Sequence, residues 1–152
     1  MTTTWTSKTN AVFTTDRFDK VWHPDGGDSH PPPGRDFVQA LGDAFIKAGF
    51  TVAQMSRECH DPNDHWWEHS YWYFYIVVDR QKYFVQLEPF ERGSLWRVVF
   101  SMSGGFSSIF RSRQSALKMP VSLQKRAESI IQSIAGRNNI RWVTEEDAAR
   151  LW

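Results

Sequence analysis

The chain has one cysteine, Cys59, among 152 residues, so it cannot form an internal disulfide, and its cysteine usage fits a reducing compartment. It has no run near the roughly 18 apolar residues that a membrane-spanning helix needs. The opening "MTTTWTSKTNAVF" has no apolar centre of the kind a secretory signal carries. The expectation from these absences is a cytoplasmic protein. A net charge is also missing: 18 Lys and Arg stand against 17 Asp and Glu, so no global field points to nucleic acid or anionic lipid. There is no internal repeat, no low-complexity tract, no phosphate-binding glycine loop and no G-x-S-x-G nucleophile elbow.

The chain is rich in aromatics, 15% of residues including eight tryptophans. At this length a single domain buries roughly 70% of the surface its unfolded chain exposes, and these rings supply more apolar area than such a core usually needs. The balanced charge is unevenly spread. Residues 1–92 carry 9 basic and 13 acidic side chains, whereas residues 93–152 carry 9 and 4. A chain divided in this way either presents an acidic and a basic patch or folds the halves onto each other.

Residues 1–33 read as a loose N-terminal segment ending in the Pro/Gly loop "HPDGGDSHPPPG", with a short strand near Ala11–Thr14. Residues 34–152 read as a single α+β domain. In "RDFVQALGDAFIKAGF", Phe37, Leu41, Ala44, Phe45 and Ala48 form one stripe at period 3.6, and Gly49 closes the helix. Strands are expected over 50–58, 66–78, 83–90 and 95–103, joined by the tight turns "DRQK" and "ERGS". An irregular basic loop, 104–120, leads to a second helix with Leu123, Ala127, Ile130, Ile131 and Ile134 on one side. "NIRWV" reads as a short strand, and Thr144 with Asp147 reads as the capped start of a terminal helix. The predicted fold is an antiparallel four-stranded meander with helices packed on one face, plus a short C-terminal strand and helix.

Side-chain alternation divides the stretch "DHWWEHSYWYFYIVVD". Trp72, Phe74, Ile76 and Val78 form an apolar row. His65, Trp67, His69, Tyr71, Tyr73 and Tyr75 point the other way and carry polar tips. With Arg80-Gln81 as the turn, Phe74 would face Leu87, and Tyr73 would face Glu88. Arg97 on the next strand joins the second face. This face is the candidate surface, with His65, Trp67, His69, Tyr71, Tyr73, Tyr75, Glu88 and Arg97 as partner-binding residues. Other fates remain open for it: cover by the N-terminal segment with Trp5, Phe13, Phe18 and Trp22, plain exposure to solvent, or a small-ligand cleft.

"HWWEH" also matches the H-x-x-E-H pattern of zinc hydrolases at His65, Glu68 and His69, but that motif works on a helix. On a strand the two histidines lie about 13 Å apart and cannot share an ion. Cys59, His60, Asp61 and Asp64 add donors without a specific spacing, and Asp25 and Asp28 lack the pattern of a calcium loop. Cys59 beside His60 suggests a thiol nucleophile, though such a cysteine more often packs as a small hydrophobe. No catalytic residues, metal or cofactor are therefore assigned. A metal-dependent hydrolase using the 59–69 cluster stands as an alternative. A second alternative is a single-stranded nucleic-acid binder using the aromatic face and the basic 110–126 segment, which Glu88 on the same face disfavours.

The run "GRDFVQALGDAFIKAGFTV", the tryptophan-rich strands and the closing "IRWVTEEDAARLW" resemble small bacterial α+β proteins of unassigned function, a class that includes toxin-immunity proteins. The resemblance implies a compact cytoplasmic binding protein whose partner is a protein, most concretely a cognate toxin. It assigns no functional residue. The reading adopted is a non-enzymatic protein-binding module of the immunity type.

Overall fold

The computed structural model describes residues 2–18, 33–53, 71–90, 95–103, 117–136 and 139–151. In chain order the elements are β1 (Trp5–Thr6), β2 (Asn10–Thr14), α1 (Arg35–Lys47), β3 (Thr51–Ala53), β4 (Trp72–Val78), β5 (Gln81–Pro89), β6 (Leu95–Ser103), β7 (Met119–Pro120), α2 (Val121–Ala135), β8 (Arg141–Val143) and α3 (Glu145–Ala149). Six strands form one sheet in the order β3-β4-β5-β6-β2-β8, and every pairing is antiparallel. The four-stranded meander β3 to β6 is present as expected, and so are the C-terminal strand and helix. No helix among the described residues is long and apolar enough to cross a membrane.

The helices follow their apolar stripes. Phe37, Val38, Leu41 and Phe45 of α1 and Leu123, Ala127, Ile130 and Ile131 of α2 are buried against the sheet row of Trp72, Phe74, Ile76, Val85, Leu87, Trp96, Val98 and Phe100. Aromatic edges tie the layers: Phe45 lies 5.8 Å from Phe74, and Phe37 lies 5.0 Å from Trp96, ring centre to ring centre. Each such pair adds about 0.5–1.5 kcal/mol beyond its buried area.

α1 ends in a Schellman motif. The Phe50 N–H donates to the Phe45 carbonyl and the Gly49 N–H to the Ile46 carbonyl, while the Phe45 and Phe50 rings meet edge to face. Arg126 of α2 donates to the Ala48 carbonyl and lays its guanidinium over the Phe50 ring, placing a cation at the negative end of α1.

The short strand expected near Ala11–Thr14 is present as Asn10–Thr14, and it is an inner strand, held between β6 and β8. Ala11 opposes Val98 and Phe13 opposes Trp96, so both enter the helix-covered core. Trp5 and Thr6 pair with Pro120 and Met119, which gives the end of the expected irregular loop a strand partner. Side chains complete the attachment. Thr15 donates to the Ala135 carbonyl, Arg17 to the Ile134 carbonyl, and Gln124 to the Lys8 carbonyl. The first two satisfy carbonyls that the end of α2 leaves unpaired.

The hairpin between β4 and β5 turns on Asp79-Arg80, not Arg80-Gln81. Both turn residues have positive φ, 49° and 67°, as a type I′ turn requires. Phe74 therefore faces Val85, Ile76 faces Tyr83, and Tyr73 faces Gln86. The expected register was displaced by two residues. An even displacement keeps every side chain on its own face, so the division into two faces survives the correction.

Candidate interaction surface

The face opposite α1 and α2 has two halves of different character. On β4 and β5 lie Tyr73, Tyr75, Phe84, Lys82 and Gln86, with Tyr71 just before β4, all half-buried. Tyr75 is the direct cross-strand partner of Phe84, and Tyr73 of Gln86. The rings interlock: Phe84 sits 5.1 Å from Tyr73 and 5.3 Å from Tyr75, and Tyr73 lies 6.3 Å from Tyr71 and 6.1 Å from Tyr75. Their planes are tilted by 39° to 77° in these contacts, so they make ridges and clefts rather than one flat platform. The Lys82 ammonium lies 4.2 Å from the centre of the Tyr75 ring and sets a positive charge at the hairpin end of the ridge.

The other half, on β6 and β2, is closed. Glu88 and Arg97 are direct cross-strand partners and form an ion pair with side chains 4% and 9% exposed. Sequence reading placed both on an open or partly covered face, and the structure buries them. The C-terminal helix packs on this half. Thr144 accepts from the Asp147 N–H, as its sequence context predicted, and so starts α3 where Glu145 reaches back over the sheet. The Glu145 carboxylate lies 3.9 Å from Arg97 and accepts from the Asn10 amide at 3.0 Å. Ala148 of the same helix is fully buried, and beneath this end of the face Asn10, Val12 and Val99 are buried as well.

Gln86 links the two halves by donating to Glu88 at 3.1 Å. A continuous polar chain thus runs Gln86–Glu88–Arg97–Glu145–Asn10. Desolvation holds the Arg97 guanidinium below its ordinary value, and Glu145 pulls it part of the way back. Arginine keeps its charge through such a shift, so the pair persists as an ion pair.

Of the proposed partner-binding residues, the structure brings Tyr71, Tyr73 and Tyr75 together around Phe84. His65, Trp67 and His69 lie outside the described residues, as do Cys59, the rest of the 59–69 donors, Trp22 and the "DGGDSH" loop. Among the described residues no group of three His, Cys, Asp or Glu side chains converges to hold a metal ion. Residues 110–116 of the basic 110–126 segment, with Arg111 and Arg113, also lie outside them; Lys118 and Lys125 are exposed, and Arg126 is engaged at the end of α1.

Sequence reasoning missed Lys82, Asn10 and Glu145. Alternation does put Lys82 on the tyrosine face, and the corrected turn places it one pair beyond Tyr75 and Phe84. Asn10 and Glu145 gave no comparable signal, because their contact spans 135 positions of chain. Comparison with known proteins adds no relative: no family model, curated protein or solved structure matches the chain.

Proposed function

We propose that the chain is a non-enzymatic protein-binding module whose contact surface is the ridge of Tyr71, Tyr73, Tyr75 and Phe84 flanked by Lys82. One observation carries this reading. Four aromatic rings cluster, half-buried, on the sheet face away from α1 and α2. Tyrosine combines large rigid contact area with a hydrogen-bonding tip and few rotatable bonds, so it loses little entropy on binding. The buried Glu88–Arg97 pair serves as the foundation of the surface, because it anchors the strands beside the ridge and is not itself reachable by a partner.

In its most concrete form the partner is a bacterial toxin that the chain neutralises by direct binding, the role suggested by the resemblance to small bacterial α+β proteins. The test is titration calorimetry of the chain against the product of the neighbouring gene. Tyr75→Ser combined with Lys82→Glu should weaken the complex at least about tenfold, the loss expected for a central aromatic contact. Unchanged affinity in that variant, with far-UV circular dichroism showing the fold intact, would refute the ridge. Co-expression that fails to restore growth of cells making that product would refute the neutralising role while leaving binding in place.

A further inference from the structure

We draw no further inference here: the strongest candidate, the half-buried aromatic ridge of Tyr71, Tyr73, Tyr75 and Phe84 on the sheet face away from α1 and α2, belongs to the site already described, and nothing in the structure shows what covers it.

Discussion

Replacing Arg97 by alanine would leave the Glu88 carboxylate buried beside an empty space, with the Gln86 amide as its remaining partner among the described residues. Removing one member of a buried ion pair typically costs about 3–5 kcal/mol, most of it from the uncompensated charge. A domain of this size has about 5–15 kcal/mol in total, so a large share of the stability is at stake. With a urea dependence of about 2 kcal/mol per molar, the unfolding midpoint should fall by about 1.5–2.5 M. Tryptophan fluorescence reports the transition, because Trp72 and Trp96 are fully buried and become exposed on unfolding.

The companion experiment replaces both partners, Glu88→Leu with Arg97→Met. Apolar side chains of similar volume often match or exceed a buried pair, so the double variant should recover most of the single variant's loss. Glu145 and Gln86 then turn to water, since neither is fully buried. A midpoint for Arg97→Ala within about 0.5 M of the parent would refute the burial argument, as would a double variant no more stable than the single one.

Other substitutions test the local geometry. Gly34 and Gly49 both have positive φ, but a methyl at Gly34 would lie 3.0 Å from the Trp96 ring whereas one at Gly49 meets nothing within 4 Å. Urea unfolding should therefore show Gly49→Ala costing about 1 kcal/mol and Gly34→Ala about 1–2 kcal/mol more. Thr144→Ala removes the α3 cap and should cost about 1 kcal/mol, with hydrogen exchange accelerated at Asp147 and Ala148 more than in the core strands. Asp79→Asn with Arg80→Gly relieves two positive φ angles on non-glycine residues and should raise stability by about 0.5–1 kcal/mol, seen as a higher melting temperature.

Half of the candidate surface was legible in the chain and half was not. Tyr71, Tyr73 and Tyr75 share a face because alternate residues of any strand do, whatever the strand pairs with, and Phe84 follows once the strands are antiparallel. Glu88 and Arg97 obey the same alternation and do lie on the predicted face. Alternation names a face and is silent on what covers it. Among the described residues Glu145 reaches Arg97 from α3, a contact that no local pattern encodes.

By itself the sequence determined everything that repeats or ends within a few residues: the apolar stripes of α1 and α2, the two-faced strands, the glycine after α1 and the Thr144 cap. These features arise from the chain's own periodicity and from hydrogen bonds between near neighbours, and both are written in adjacent side chains. Tertiary structure alone decided where Asn10–Thr14 would go. Its pairing partners, Leu95–Val99 on one side and Arg141–Val143 on the other, are distant in sequence. A five-residue strand joins them through backbone groups that are the same at almost every residue, so nothing in its side chains announced the place between β6 and β8. Docking of α3 beside that strand then brought Glu145 to Arg97 and Asn10, while the tyrosine ridge lies half-buried on β4 and β5.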